Sequence, residues 1–449
     1  MIQTIDIRGL RPTPAEYRTL VPRAAVDVSI AMRAATDLIE AVRRDGRSAL
    51  EEQAERFDGV RPPYIRVPDS EIAGAVNGLS AEVKESLAEA IERVGRATAA
   101  QIPPERITEI EPGARIVQRW EPVERAGLYV PGGKAVYPSS VVMNVVPAQV
   151  AGVRSIALAS PPQKAFGGRV HPLILGAAGL LGIDEVYAMG GAGAIGALAW
   201  GVPDIGLEPV QVITGPGNVY VAAAKRVVRG QAGIDAEAGP TEILVIADAS
   251  ADPELVAADL VSQAEHDESA ASVLVTDSPE FAEEVRTSLE RRAQSTAHTE
   301  RVGAALNGQQ SAIVLVDDLE SAAAFSNAYG PEHLEIQTTD ADEVLGTIRN
   351  AGAIFLGADT PVSLGDYLAG SNHVLPTGGQ ARFASGLGAY SFLRPQQVIR
   401  YDREALAKVR QRILTLSGAE DLPAHGEAVS ARFGVGSPAA SDGDVAQVR

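Results

Sequence analysis

The sequence predicts an α/β fold: two Rossmann-like but incomplete parallel-sheet domains, with small N-terminal and C-terminal segments. Two observations predict it. From Gly127 on, short β-branched or apolar runs alternate with helical segments, and the alternation restarts after Gly239 and Pro240. Glycine and proline cluster at the turns between these runs. Taken in order, Val28, Met32, Ala35, Leu38 and Val42 recur at three- and four-residue spacing, so 24–60 reads as helix. A second helix starts at Ser80, its N-cap, with Val83, Leu87, Ile91 and Val94 as the apolar stripe. Residues 102–113 hold three prolines and read as a connection, and Ile116, Val117 and Trp120 suggest a strand. In the first alternating unit, strands are predicted at 128–130, 156–159, 185–188 and 210–213, with helices near 139–150, 169–181, 194–200 and 217–229. In the second, strands fall at 243–247, 272–275, 313–316, 334–337 and 353–356, with helices at 253–265, 279–293, 319–328 and 341–349. Residues 360–395 are rich in Gly, Ser and Asn and lack periodicity, and a loop that long in a compact domain points to function. A helix follows at 403–416, and the small polar tail 437–449 is expected to be disordered.

Composition narrows the function. The 449 residues carry 39 Lys and Arg against 58 Asp and Glu, a formal charge of −19. Such a surface repels phosphate backbones and anionic lipid, so neither a nucleic acid nor a membrane is the expected partner. There is no cysteine, which excludes disulfides, thiolate nucleophiles and Cys-type zinc sites. The N-terminus has no apolar core behind its charges and does not read as a secretory signal. A soluble, cytoplasmic protein is expected.

Histidine is the informative residue, with only six in the chain. His298 sits among polar residues and reads as surface, and His171 opens an apolar helix. The other four lie beside carboxylates, amides or glycine loops. Gln263 and His266 are three apart at a helix end and share a face, and Asp366 and His373 are seven apart in the Gly-rich loop. His425 follows Glu420. Imidazole and oxygen ligands from separated segments can make a mixed N/O metal site, while the plain alternative for 263–266 is a solvated helix end. Glu332 directly precedes His333 at a strand edge and offers two groups for proton transfer, the plain alternative being an exposed turn. Two glycine loops follow strands and open helices, as phosphate-receiving loops do: Thr214-Gly215-Pro216-Gly217-Asn218 and Gly191-Ala192-Gly193-Ala194-Ile195-Gly196. A third, GLYVPGG at 127–133, presents Tyr129 as an exposed aromatic able to stack on a ring, or else as a packed tyrosine at a strand end.

Together these residues resemble the histidinol dehydrogenase family. The most specific match runs from Ile234-Asp235-Ala236-Glu237-Ala238-Gly239-Pro240-Thr241-Glu242 through to Gln263-Ala264-Glu265-His266. Supporting matches are GLYVPGG (127–133), TGPGN (214–218), YGPEHLE (329–335), the loop from Gly365-Asp366-Tyr367 to Asn372-His373, and Glu420 to His425. The resemblance implies a four-electron oxidation of L-histidinol to L-histidine via the aldehyde, consuming two NAD+. It implies one zinc ion per subunit, held by Gln263, His266, Asp366 and His425. Glu332 and His333 would do the proton chemistry, and Tyr129 and Asn218 would contact NAD. Thr241, His333, His373 and Glu420 would contact substrate alongside the zinc ligands. It also implies a homodimer with shared active sites, in which Glu420 and His425 act on the partner's site. The domains would then be an arm (1–23), a first α/β domain with zinc and proton-transfer residues (24–128 and 241–387), a cofactor-side domain (129–240) and a dimer-exchanging unit (388–436).

Three positions depart from the family's usual residues. Gly193 stands where Gln, a cofactor contact, is common. Thr241 stands for Ser with its hydroxyl kept, and Ser391 stands for a frequent Asp. Two rival functions compete with histidinol oxidation: a paralogous NAD-dependent dehydrogenase of another small alcohol, such as a sulfonated diol, and a zinc hydrolase.

Overall fold

The runs EILVIA and ASVLVT are apolar on both faces, and they form the strands Glu242–Ala247 and Ala271–Thr276, buried along their whole length. In the computed structural model, which describes residues 2–24, 28–132, 136–237 and 239–434, these strands are central in a six-stranded sheet. Its order is Gln3–Asp6, Ala312–Leu315, Ala271–Thr276, Glu242–Ala247, His333–Gln337 and Ala353–Leu356, parallel throughout. A second sheet runs Val186–Ala188, Ser155–Ser160, Arg125–Tyr129, Val212–Thr214 and Gly233–Ile234, also parallel. The two incomplete parallel-sheet units expected from the alternation are both present.

Contacts divide the chain into two compact units. Of the described residues, one unit comprises those up to Ile102 with those from Pro122 to Leu393 and contains both parallel sheets; the other comprises Pro103–Glu121 with those from Arg394 to 434. The second unit is built on the antiparallel pair Arg106–Glu111 and Ala114–Pro122, the strand Leu393–Tyr401, and the helices Arg403–Ala419 and Pro423–Ser430. Among the described residues, no helix is long and apolar enough to cross a membrane.

Several expectations are corrected. The helix read over 24–60 is two helices, Val28–Asp45 and Arg47–Phe57, broken at Gly46, whose φ of 54° an L side chain rarely adopts. Residues 102–113 are not only a connection, because Arg106–Glu111 is a strand; it is exposed along nearly its whole length and so shows no apolar alternation. The strand Leu393–Tyr401 escaped detection for the same reason. Grouping 24–128 with 241–387 does not match the packing. Val28–Asp45 lies on Gly191–Trp200 and Val219–Val228, Asp69–Gly78 on Pro172–Leu180, and Ala81–Ala99 on Pro138–Ala151, all helices of the five-stranded sheet's region. Ala35, Ile39 and Val42 share one core with Ala157, Ala159 and Ile213 of that sheet. Conversely, Gln3–Asp6 in the arm is an edge strand of the six-stranded sheet. Ser80 caps its helix as expected, accepting from the Val83 amide. The tail 437–449 lies outside the described residues.

Candidate active site

Glu242 and His333 are the first residues of adjacent parallel strands, with His333 in register with Ile243. The polar cluster therefore gathers at the amino-terminal edge of the six-stranded sheet. Open α/β sheets usually bind ligands at the opposite, carboxyl edge. The helix Pro253–Ala264 runs back from Glu242–Ala247 and delivers Gln263 and His266 at its C-terminal end.

One hydrogen-bonded chain organises the cluster. The Gln263 Nε2 donates to Thr241 Oγ1 at 2.6 Å, and Thr241 Oγ1 donates to Glu332 Oε2 at 2.6 Å. The Glu242 amide donates to the same Glu332 oxygen at 2.9 Å. The Glu242 carbonyl lies 3.1 Å from His333 Nδ1. A carbonyl only accepts, so Nδ1 carries the proton and neutral His333 keeps a basic Nε2. Both Glu332 and His333 are buried. Burial pushes the Glu332 carboxyl up to about 8, against the pull of the Thr241 hydroxyl and the Glu242 amide. Burial lowers the His333 imidazole below its usual range, with Asp366 acting the other way.

His266 and His373 show the same wiring. The His266 Nδ1 faces the Ser262 carbonyl at 3.2 Å, and the His373 Nδ1 faces the Asp366 carbonyl at 3.1 Å. The Nε2 of His266 is thus left to bind. That of His373 meets the Ser140 hydroxyl at 3.0 Å. Electrostatic influence ties the group into one site: His266 acts on Glu332, Asp366 on His333, and His266 and His333 on His373. His298 is exposed and faces Glu265, while His171 caps a helix by accepting from the Leu173 amide.

The structure thus brings together Thr241, Gln263, His266, Glu332, His333, Asp366 and His373. Glu420 and His425 belong to the second unit, where both are exposed. Glu420 ends the helix Arg403–Ala419, and the intervening Asp421 has a φ of 55°, a turn conformation in which Asp is tolerated. Among the described residues, no group of three or more His, Cys, Asp or Glu side chains could hold a metal ion. Within the first unit the expected donor set is His266, Asp366 and the amide of Gln263. Its chemistry suits a borderline divalent ion: the Gln263 nitrogen is engaged with Thr241, which leaves its oxygen, and His266 offers Nε2.

The glycine loops lie at the carboxyl edge of the five-stranded sheet. Tyr129 ends Arg125–Tyr129, and Thr214 ends Val212–Thr214. Tyr129 is not the exposed aromatic that the sequence suggested. It is packed in the core, and its hydroxyl accepts from the Gly191 amide at 3.2 Å. Gly133 of its loop lies outside the described residues. Asn218 is exposed and caps Val219–Val228, its Oδ1 accepting from the Tyr220 and Val221 amides at 3.0 and 3.2 Å. Gly215, with φ 119°, has no room for a Cβ, which would lie 1.9 Å from the Tyr129 carbonyl oxygen. Gly193 is buried against Gln53, whose Oε1 lies 2.1 Å from where a Cβ would sit, so a side chain at 193 would have to displace that amide.

Sequence reasoning missed two supports. Lys225 and Asp235 form a buried ion pair, 2.5 Å apart, that clamps the Gly215 peptide: Lys225 Nζ donates to its carbonyl at 2.5 Å, and its amide donates to Asp235 at 2.8 Å. Ser140 and Asn144 tie the loops together. The Thr214 hydroxyl donates to Asn144 Oδ1 at 2.7 Å, and Asn144 Nδ2 donates to the Ser140 carbonyl at 2.8 Å. The signal for Asn144 was an amide inside an otherwise apolar helix.

Fold and site define an α/β enzyme with a buried carboxyl–imidazole pair and glycine loops at a second parallel sheet. The sequence model of the histidinol dehydrogenase family matches residues 21–433, and the chain belongs to that family. It is 74% identical over 432 residues to a histidinol dehydrogenase of Leifsonia xyli, covering 96% of this chain and 99% of that one. It is 56% identical to one of Mycolicibacterium smegmatis, covering 96% and 97%. The crystal structure of histidinol dehydrogenase from Elizabethkingia anophelis superposes with a TM-score of 0.89 at 34% identity, covering 96% of this chain and 98% of that one.

Proposed function

We propose that this enzyme oxidises L-histidinol to L-histidine through the aldehyde, the closing steps of histidine biosynthesis, in the cytoplasm and as a homodimer with shared active sites. One alcohol, two NAD+ and one water give one carboxylate, two NADH and three protons. The observation that carries the reading is the single Thr241–Glu242 segment, which holds Glu332 with its hydroxyl and amide and His333 with its carbonyl.

Each residue then has a task. The His333 Nε2 takes the hydroxyl proton of the carbinol, and NAD+, when bound, would supply the hydride acceptor. Glu332, as the carboxylate, takes a proton from the water that adds to the aldehyde while protonated His333 returns its proton to the aldehyde oxygen, so that His333 is again free to take a hydroxyl proton of the hydrate in the second oxidation. Gln263, His266, Asp366 and His425 would hold one zinc ion, which would supply an anchor for the imidazole and amino nitrogens of the substrate. Thr241, His373 and Glu420 contact substrate alongside them. Fixing the carbinol beside base and acceptor can contribute ~7–11 kcal/mol to lowering the barrier. NAD+ takes the glycine-loop side, where Asn218 is exposed; Tyr129 contributes through its hydroxyl on the Gly191 amide rather than through an exposed ring.

The test supplies each substrate separately. His333→Asn should suppress both oxidations. Glu332→Gln should mainly suppress aldehyde to acid, and unimpaired aldehyde oxidation in that variant refutes the water-activating role. The wild-type enzyme should form two reduced nicotinamides per histidinol consumed, and absence of the near-ultraviolet signal of NADH would return the hydrolase reading.

A further inference from the structure

The Glu242 carboxylate is buried, yet four donors converge on it. Arg23 Nε donates to Oε2 at 2.7 Å and the Tyr329 hydroxyl to the same oxygen at 3.3 Å. The Gly378 amide donates to Oε1 at 3.0 Å and Arg23 Nη2 to it at 3.3 Å. Arg23 Nη2 also donates to the Tyr329 carbonyl at 2.6 Å, and the guanidinium lies 3.9 Å over the Tyr329 ring. A bidentate guanidinium of this kind fixes direction as well as charge.

The two groups that Arg23 grips stand at the roots of the proton-transfer pair. Glu242 presents the amide that binds Glu332 and the carbonyl that binds His333. Tyr329 opens the Tyr329-Gly330-Pro331-Glu332-His333 segment. One side chain of the N-terminal arm therefore holds both backbone segments whose relative placement sets the Glu332–His333 geometry. Arg23 is itself a quarter exposed, its partner almost fully buried.

We infer that Arg23, acting through Glu242 and Tyr329, is a positioning residue that holds Glu332 and His333 in working geometry and keeps the His333 proton on Nδ1. The inference rests on the proton-transfer roles proposed above. Among the described residues, the hydrogen bonds of Arg23 go to Glu242 and Tyr329 and not to Glu332 or His333, so its effect passes through the main chain.

The test is a set of variants assayed on the full-length enzyme: Arg23→Gln, Arg23→Lys, Glu242→Gln and Tyr329→Phe. Arg23→Gln and Glu242→Gln should lower kcat per folded molecule roughly ten- to a hundredfold with the KM for NAD+ nearly unchanged, the scale expected of sub-ångström to ångström misplacement. Arg23→Lys should recover part of the loss, and the Arg23→Gln/Glu242→Gln double variant should fall short of the product of the singles. Selective ¹⁵N labelling of imidazole should show Nδ1–H His333 in the wild type and a mixture in Arg23→Gln. A variant that melts earlier but keeps kcat and the His333 tautomer assigns Arg23 a structural role only and overturns the inference. Should Arg23→Gln fail to fold, Tyr329→Phe and Arg23→Lys carry the same comparison, and wild-type kcat in both overturns it. Full activity in His333→Asn would instead sink the catalytic assignment, an outcome separate from any result at Arg23.

Discussion

The Thr241 hydroxyl donates to the same Glu332 oxygen that accepts the Glu242 amide, and is itself held by Gln263. The carboxylate form of Glu332 thus receives two hydrogen bonds in a site whose burial disfavours charge. With Glu332 at about 8, a base role requires activity in aldehyde oxidation to rise with pH through that region. Thr241→Val removes a bond to the charged form, which raises the carboxyl further. A hydrogen bond to a charged group contributes ~1.5–3 kcal/mol, so the ascending limb of the pH–rate profile should move up by about one to two units. Thr241→Ser should leave it in place. An unmoved limb in Thr241→Val would show that Glu332 does not set it.

Asp366 and His425 come from different compact units, and the zinc proposal requires both. Asp366→Ala and His425→Ala should each lower the zinc content of purified, dialysed enzyme well below one per subunit by elemental analysis. Lys164→Ala, an exposed position in the short turn Lys164–Phe166 and far in sequence from every proposed ligand, should leave it unchanged. Equal zinc in all three proteins would remove Asp366 and His425 from the ligand set.

Shared active sites make a second demand. A Glu332→Gln subunit and a Glu420→Gln subunit, each deficient in aldehyde oxidation as homodimers, should form a heterodimer with one intact site and regain up to half of wild-type aldehyde oxidation per dimer at that site. Tandem affinity tags isolate the heterodimer, and its inactivity would place Glu420 in its own subunit's site.

The same residues show what a sequence discloses. The parallel sheets were legible because EILVIA and ASVLVT bury both faces, and Ser80 because a cap is a local signal. The strands Arg106–Glu111 and Leu393–Tyr401 were not, because they are mostly exposed and carry no apolar alternation. Glu332 and His333 stood out as neighbours, but nothing local shows that Thr241, 91 residues away, completes their hydrogen bonds. Nor does composition reveal on which sheet edge they gather. Sequence left Tyr129 open between an exposed and a packed ring, because the core that takes it joins the five-stranded sheet and the helices of 191–228 to helices from residues 28–57, far earlier in the chain.

The Lys225–Asp235 pair holds both polar atoms of the Gly215 peptide in a buried setting. Lys225→Met leaves Asp235 without its counter-charge, and breaking a buried pair in this way costs about 3–5 kcal/mol. Urea unfolding should show that loss, and the KM for NAD+ should rise as the 214–218 loop loosens. Lys225→Met/Asp235→Leu removes both charges and should recover much of the stability without recovering KM, since the peptide clamp is still missing. A double variant with normal KM would separate the ion pair from the cofactor loop.

Glu335 and Asp259 give the enzyme a pH-dependent stability of the opposite sign to most carboxylates. Glu335 is fully buried on the strand His333–Gln337, and its Oε1 accepts from Gln337 Nε2 at 2.8 Å. Burial first, and then the charge of Asp259 on the helix Pro253–Ala264, push the Glu335 carboxyl well above the usual range; burial raises Asp259 too, with Arg292 opposing it. The pair therefore keeps a proton in the folded state that an unfolded chain releases above pH ~4.3. Because the folded state then binds more protons than the unfolded, stability is full below that value and falls as pH rises toward the folded-state value, by up to ~1.4 kcal/mol per pH unit for one proton. Glu335→Gln removes the ionisable member and keeps its shape. Urea midpoints measured from pH 6 to 8.5 should fall less steeply for the variant than for the wild type, so that the variant gains relative stability as the solution becomes alkaline. Parallel slopes in the two proteins would mean that Glu335 already carries its charge at pH 6.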